Sequence, residues 1–168
     1  MSYDESMESL SNDALKLVKN NQVIGLGSGR AATALVKSLA KLIKLRNYNI
    51  RGIPTSLQIK LVAEKAGIPL VESDQVNHID IVFDGADQID SQKYVIKGGG
   101  GALLRENILF SLAKKVVVMA DKTKFVKNFT INIYIWDNEY SWISFILKII
   151  INPLYCFSLP NIIFFRSE

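Results

Sequence analysis

The middle of this chain contains three carboxylate residues and a lysine within 23 positions, with several glycines between them. Asp84 and Asp87 follow an apolar run that starts at Ile81, and Lys97 precedes four consecutive glycines. Glu106 comes about one turn into the helix predicted after those glycines. A carboxylate can serve as a general base, and a lysine can neutralise a developing oxyanion. These residue types therefore suit proton transfer beside a carbonyl group.

Each of these motifs also has a purely structural interpretation. Asp84-Gly-Ala-Asp87 could be an Asp-Gly turn in which Asp87 caps a helix. The glycines from Gly98 to Gly101 could form a flexible linker before a solvated helix face. However, four glycines in a row cost about 0.5 to 1 kcal/mol each relative to alanine, so close approach of a ligand is the better explanation.

A second pair of motifs is suited to binding an anion. Gly25-Leu-Gly27-Ser28-Gly29 lies between a predicted buried strand and a helix, where free amides of the helix N-terminus favour negative charge. The spacing differs from that of a dinucleotide-binding loop, so a small phosphate ligand fits better. Asp121-Lys-Thr-Lys124 follows another predicted strand and offers lysines to a phosphate. A plain turn and a solvated loop are the alternatives.

Apolar strands alternate with helix-length segments before these motifs and between them, which predicts an α/β fold. Ser56 and Gly67 are the expected caps of one of the helices. Lysines are expected in the last turn of the helix that follows the glycines. The predicted helices are 5–20, 31–45, 56–66 and 101–114, and the predicted strands are 22–26, 48–53, 79–83, 94–96 and 115–120.

Composition narrows the class of protein. The chain has 168 residues and a formal charge of +4, but its lysines are dispersed and form no basic stripe, so nucleic acid is not an expected partner. One cysteine, Cys156, and one histidine, His78, offer no metal-ligand spacing, and His78 is expected to be a surface or capping residue. The polar, acidic N-terminus lacks the pattern of a secretory signal, which favours the cytoplasm.

The composition changes sharply near Asn128. All ten glycines lie at or before Gly101, whereas residues 128–168 hold both tryptophans and five of the eight phenylalanines. The apolar run at 142–165 raises the alternative of a membrane span, but Asn152-Pro153 would break such a helix near its middle. Its Ile, Phe, Tyr, Asn and Lys content is typical of translated AT-rich DNA. We therefore expect a catalytic domain at 1–127 and an atypical apolar tail at 128–168.

The order of these motifs resembles type A ribose-5-phosphate isomerase, from about Leu15 to Val126. The most specific pieces are Asp84-Gly-Ala-Asp87 and the segment Lys97-Gly-Gly-Gly-Gly-Ala-Leu-Leu-Arg-Glu106; Gly52-Ile-Pro-Thr-Ser56 is also similar. The resemblance implies a Rossmann-like, doubly wound, three-layer α/β/α domain that is incomplete at its C-terminus. It also implies interconversion of ribose 5-phosphate and ribulose 5-phosphate through a cis-enediolate, without metal or organic cofactor, by a homodimer or homotetramer.

The resemblance further implies roles for individual residues. Glu106 would be the base, Asp84 and Lys97 would steady the hydroxyls and the oxyanion, and Asp87 would help to open the sugar ring. Ser28 and Lys124 would hold the phosphate. The remaining substrate-binding residues would be Gly27, Gly29, Arg30, Thr55, Ser56, Gly98, Gly99 and Gly100.

The sequence departs from the family pattern in several places. Arg30 and Ala31 stand where hydroxyl residues are usual, and Gln88 stands where an acid is common. The basic residue expected in the first helix has no clear match at 5–10. Two alternatives to an active isomerase stay open. The chain could be a non-catalytic phosphosugar-binding module, or an inactive product whose C-terminal part has been lost or replaced.

Overall fold

The computed structural model describes residues 3–98, 101–129 and 162–167. Its helices are α1 (Tyr3–Ala14), α2 (Gly29–Arg46), α3 (Leu57–Ala66) and α4 (Leu103–Leu112). Short 3-10 turns follow α1, precede β3 and follow β6. The strands are β1 (Val23–Leu26), β2 (Arg51–Pro54), β3 (Ile81–Gly85), β4 (Gln88–Ile89), β5 (Val95–Ile96), β6 (Val116–Asp121) and β7 (Ile162–Ser167).

Five of the strands form a parallel sheet in the order β2-β1-β3-β6-β7, and β4 pairs with β5 as a separate antiparallel ribbon. Alternate residues of β3 enter different cores, because successive side chains of a strand point to opposite faces. Phe83 packs with helices α1 to α3, whereas Val82 packs with α4 residues Leu109 and Phe110. This three-layer arrangement confirms the predicted Rossmann-like α/β fold.

Helix α3 confirms its predicted caps. The Ser56 hydroxyl accepts a hydrogen bond from the Ile59 amide at 3.3 Å. Gly67 ends the helix with φ = 78°, a left-handed conformation that glycine adopts without steric cost.

The prediction that α1 continues to Asn20 is wrong. The helix ends at Ala14, and a 3-10 turn leads to an extended Val18. Asn20 accepts hydrogen bonds from the amides of Asn21 and Asn49. Side chains of this kind compete with helical hydrogen bonding, which explains the early stop.

The prediction that α4 extends to Lys114 is also wrong. The helix ends at Leu112, and the Lys114 amide donates to the carbonyl of Ile79 instead. The Lys114 ammonium lies 3.0 Å from Asp80, so it does not complement the helix dipole. His78 is half-exposed beside the same Asp80, which confirms its predicted surface position.

Part of the tail contributes to the sheet. β7 pairs in parallel with β6, with Ile162 opposite Val116, and Ile163 packs against the core shared by α1 to α3. The remainder of the tail, at 130–161 and 168, lies outside the described residues, as does most of the apolar run at 142–165. Within the described ranges, no helix is long and apolar enough to cross a membrane. The domain boundary near residue 128 stays a prediction.

Candidate active site

A cavity of about 260 Å³ opens at the carboxyl ends of β1, β3 and β6. This is the edge at which open parallel sheets usually bind ligands. The cavity brings together ten of the predicted site residues, although they come from well-separated parts of the chain. These residues are Ser28, Gly29, Arg30, Ser56, Asp84, Asp87, Lys97, Gly98, Glu106 and Lys124.

Asp84, Lys97 and Glu106 form a buried charged cluster in the wall of this cavity. The Lys97 ammonium lies 2.9 Å from Oδ2 of Asp84 and 3.5 Å from Oε2 of Glu106. Only 7% of the Lys97 side chain and 2% of the Glu106 side chain are exposed. Buried charges persist in proteins when they are paired, and here a single cation serves two carboxylates.

The β4–β5 ribbon positions the lysine. β5 ends at Ile96, immediately before Lys97, and the Asp87 amide ties the start of the ribbon to the Ile96 carbonyl at 2.9 Å. The Lys97 ammonium also donates a 2.6 Å hydrogen bond to the carbonyl of Gly85, the last residue of β3. The ribbon therefore turns the chain back so that the cation reaches the end of the strand that carries Asp84.

Ser28 contacts both carboxylates from the start of α2. Its amide donates to Oδ1 of Asp84 at 3.1 Å, and its hydroxyl donates to Oε1 of Glu106 at 2.6 Å. The other oxygens, Oδ2 of Asp84 and Oε2 of Glu106, face Lys97. Ser28, Asp84, Lys97 and Glu106 therefore form a closed ring.

Burial changes the acidity of Asp84. Loss of solvent raises the pKa of this carboxyl group to about 6, the Lys97 charge opposes the rise, and the nearby Glu106 charge adds to it. Desolvation wins because the group is fully buried and its one cation is shared. The cluster therefore takes up or releases a proton near neutral pH.

Gly27 makes space for this cluster rather than lining the cavity. A Cβ atom at Gly27 would overlap the carboxyl group of Asp84. Its amide is engaged as well, since it donates to the Phe83 carbonyl at 2.8 Å. The structure therefore does not bring Gly27 to the cavity as a substrate-binding residue.

Thr55 is a second predicted site residue that the structure does not bring to the cavity. It is buried, and its hydroxyl donates to the carbonyl of Leu26 at 3.0 Å. Its neighbour Ser56 does line the cavity, although its hydroxyl also caps α3. Thr55 therefore joins β2 to β1, and Ser56 forms part of the wall.

The two aspartates of the Asp84-Gly-Ala-Asp87 motif occupy different environments. Asp84 is fully buried, whereas Asp87 is exposed at the cavity mouth. Asp87 leads into β4, so the alternative in which it caps a helix is wrong. Only Asp84 of this pair belongs to the buried cluster.

Lys124 reaches the cavity from the 3-10 turn after β6. Asp121 begins this turn by accepting hydrogen bonds from the amide and the hydroxyl of Thr123. Burial raises the pKa of Asp121, but these bonds and the charge of Lys124 outweigh it, so the pKa is lowered overall. Asp121 therefore remains ionised and holds the turn that carries the lysine.

Sequence reasoning missed several residues of the cavity wall. Met7 enters from α1, Gln58 from α3, and Met119 from β6. Met7 occupies the helix in which a basic residue was expected, so this wall is apolar. The missing signal was topological, because nothing in the spacing showed that α1 contributes to the wall of the cavity.

Gly99 and Gly100 lie outside the described residues. Gly98 lines the cavity with φ = 100°, a left-handed conformation that requires glycine. Within the described ranges, no group of three or more His, Cys, Asp and Glu side chains could hold a metal ion.

Comparisons with known proteins give matches in sequence and in fold. The sequence model of the family described as ribose 5-phosphate isomerase A (phosphoriboisomerase A) matches residues 51–148, more than half of the chain. The match runs past Val126, where the sequence-based resemblance ended. A ribose-5-phosphate isomerase A from Staphylococcus aureus (strain COL) is 38% identical over 140 residues, which cover 82% of this chain and 61% of the relative.

Two solved structures are similar as well. The ribose 5-phosphate isomerase A of Methanocaldococcus jannaschii superposes with a TM-score of 0.71 at 38% identity, covering 75% of this chain and 56% of its own. A D-ribose-5-phosphate isomerase in complex with phospho-erythronic acid gives a TM-score of 0.72 with the same identity and coverage. This chain thus spans about three fifths of the length of the Staphylococcus relative. On the family match, the cavity and the shared fold, the chain belongs to the ribose 5-phosphate isomerase A family.

Proposed function

We propose that this chain interconverts D-ribose 5-phosphate and D-ribulose 5-phosphate through a cis-enediolate. The observation that carries the proposal is the enclosed cluster of Asp84, Lys97 and Glu106 beside a cavity that Lys124 also lines. Proton transfer between adjacent carbons needs a base, a cation for the oxyanion and a remote anchor that orients the substrate. Glu106, Lys97 and Lys124 are the candidates for these three parts.

In the proposed reaction Glu106 removes the proton from C2 of the open-chain aldose. The electrons of the C2–H bond form the C1–C2 double bond, and the carbonyl oxygen on C1 becomes an oxyanion. Return of a proton to C1, with proton transfer from the O2 hydroxyl to O1, gives the ketose. Lys97 lies within 3.5 Å of the base, so the same ammonium can stabilise the charge that develops on the sugar oxygens.

The two aspartates take different parts in this proposal. Asp84, buried and paired with Lys97, would hold a hydroxyl of the reacting carbons. Asp87 stands at the exposed mouth, where a carboxylate can exchange protons with water. This position supports its assignment to opening the furanose ring.

The phosphate would bind between the start of α2 and Lys124, which both line the cavity. Gly29 and Arg30 begin α2, whose first amides have no partners within the helix and favour an anion. Lys124 adds a second positive charge from the turn after β6. The relative that was solved with phospho-erythronic acid supports a phosphorylated sugar-like ligand for this fold.

Replacement of Glu106 by glutamine tests the proposal, because it keeps the size of the side chain but removes the base. We expect the 168-residue chain to form ribulose 5-phosphate and the E106Q variant to lose about 10²- to 10⁴-fold in kcat. Binding of ribose 5-phosphate, measured by calorimetry, should persist in the variant. Near-normal turnover of E106Q would show that the base is another residue.

Binding and turnover measurements on the unmodified chain distinguish the remaining possibilities. Saturable binding of ribose 5-phosphate without any ribulose 5-phosphate would identify a phosphosugar-binding module instead. Absence of both binding and turnover would mean that this chain is inactive. A cytoplasmic location and a homodimeric or homotetrameric state stay predictions, and size-exclusion chromatography with light scattering tests the second.

A further inference from the structure

We infer that Ser28 is a positioning residue for the base Glu106 rather than a ligand of the substrate phosphate. This inference rests on the proposed function, because it concerns the same site. It differs from the role that the family resemblance implied for Ser28. Its basis is the geometry of the hydroxyl group.

Two serines occupy the same position before helices of this chain, but they use their hydroxyls differently. Ser56 precedes α3 with extended backbone angles, and its hydroxyl accepts from the amide of Ile59. Ser28 precedes α2 with similar angles, yet its hydroxyl makes no capping bond to α2. It donates instead to Oε1 of Glu106, at 2.6 Å. Ser28 therefore forgoes a contact that usually stabilises the start of a helix.

The hydrogen-bond donors of Ser28 are already used. A serine has one hydroxyl proton and one amide proton, and a phosphate oxygen accepts but cannot donate once ionised. The hydroxyl proton points to Glu106, and the amide proton points to Oδ1 of Asp84. To bind a phosphate, Ser28 would have to release one of two buried carboxylates.

The contact fixes the orientation of the base. One oxygen of Glu106 is held by Ser28, and the other faces the ammonium of Lys97 at 3.5 Å. A carboxylate held at both ends cannot rotate freely, so its approach to the substrate is set before binding.

Steady-state kinetics of Ser28→Ala test the inference. We expect kcat for ribose 5-phosphate to fall about 10- to 100-fold, as expected when a hydrogen bond to a charged group is lost. KM should change less than about threefold, and the acidic limb of the kcat profile should move to higher pH. Ser28→Thr keeps the hydroxyl and should recover most of kcat and the original profile.

A matched control lies one turn further along α2. Thr33 donates to the carbonyl of Gly29 and does not line the cavity, so Thr33→Ala should leave kcat, KM and the pH profile unchanged. Inhibition by inorganic phosphate should be the same in Ser28→Ala as in the unmodified chain. A tenfold weaker inhibition, or a rise in KM with an unchanged pH profile, would make Ser28 a phosphate ligand and overturn the inference.

A second readout does not depend on turnover. Because the lost donor faces a carboxylate, urea unfolding should show a larger destabilisation of Ser28→Ala at pH 8 than at pH 5, whereas Thr33→Ala should show equal effects. If the unmodified chain does not isomerise ribose 5-phosphate, the proposed function fails while this difference remains. A pH-independent effect of Ser28→Ala would contradict the inference by itself.

Discussion

The ammonium of Lys97 lies 2.9 Å from Oδ2 of Asp84, and the two side chains are only 7% and 1% exposed. Glu106 shares the same cation, so the pocket wall holds two carboxylates for one lysine. Such a cluster is poor evidence for stability, since desolvation of charges costs as much as their attraction returns. A role in proton transfer, as proposed above, explains the two buried carboxylates and the lysine better than a contribution to stability does.

Replacement of Lys97 by methionine should strongly destabilise the chain. The two carboxylates would stay buried without a cation, and breaking a buried pair in this way costs about 3 to 5 kcal/mol. Urea unfolding at pH 8 measures the effect. Lys41→Met is the control, because Lys41 pairs with Glu8 at the surface and should change the free energy of unfolding by less than about 1 kcal/mol. Equal effects of the two substitutions would contradict the prediction.

The raised pKa of Asp84 predicts how stability depends on pH. The folded chain holds a proton on Asp84 up to about pH 6, whereas the unfolded chain releases it near the ordinary pKa of 3.8. The contribution of Asp84 is therefore fully present below about pH 4 and is lost as the pH rises to 6. At about 1.4 kcal/mol per unit of pKa, the loss is roughly 3 kcal/mol.

Urea unfolding between pH 4 and pH 7 measures this contribution, with Asp84→Asn as the comparison. Asparagine cannot titrate, so the decrease between pH 4 and pH 6 should become smaller in that variant. Titration of surface groups affects both chains alike, so it cancels in the difference between their free energies of unfolding. A difference between the two chains that stays constant with pH would show that Asp84 does not carry the effect.

Gly27→Ala should disturb the site through its methyl group. The added Cβ would overlap the carboxyl group of Asp84, and such overpacking typically costs about 1 to 3 kcal/mol. Gly85→Ala is the matched comparison, since a Cβ there would meet Ala31 and the carbonyl of Met119 at ordinary distances of 3.6 and 3.8 Å. The midpoint temperature of thermal unfolding should therefore be well below that of Gly85→Ala in the Gly27→Ala variant. The reverse order would refute the packing argument.

Lys124→Ala should weaken substrate binding more than chemistry. Loss of a charged contact to phosphate is worth about 1.5 to 3 kcal/mol, which corresponds to a rise in KM of about tenfold or more. Lys122 belongs to the same 3-10 turn but does not line the cavity, so Lys122→Ala should leave KM unchanged. A KM that responds equally to both substitutions would point to general electrostatic attraction instead.

Much of the fold was predictable because its signals are local. The strands are marked by apolar runs, and the ends of α3 are marked by the serine before it and by Gly67 after it. Each of these signals acts on residues that are close in the sequence. The predicted ends of α1 and α4 were wrong for the opposite reason. Asn20 bonds to Asn49, and Lys114 bonds to Ile79, so each helix stops because of a partner that is distant in the sequence.

The same distinction applies to the site. Asp84, Lys97 and Glu106 were identifiable because carboxylates and a lysine beside glycines carry their chemistry in their residue types. The contacts of Ser28 and Thr55 were not predictable, since each depends on the direction of a hydroxyl group. Ser28 bonds to a residue 78 positions away, and Thr55 bonds to the neighbouring strand. Spacing alone cannot reveal such directions.

The burial of Glu106 has an isotopic consequence. Only 2% of this side chain is exposed, and it is held between Ser28 and Lys97, so a hydron that it takes from the sugar is shielded from bulk water. If Glu106 moves that hydron, deuterium placed at C2 of ribose 5-phosphate should partly reappear at C1 of ribulose 5-phosphate. Complete washout into solvent would instead mark a base that water reaches faster than the second carbon does.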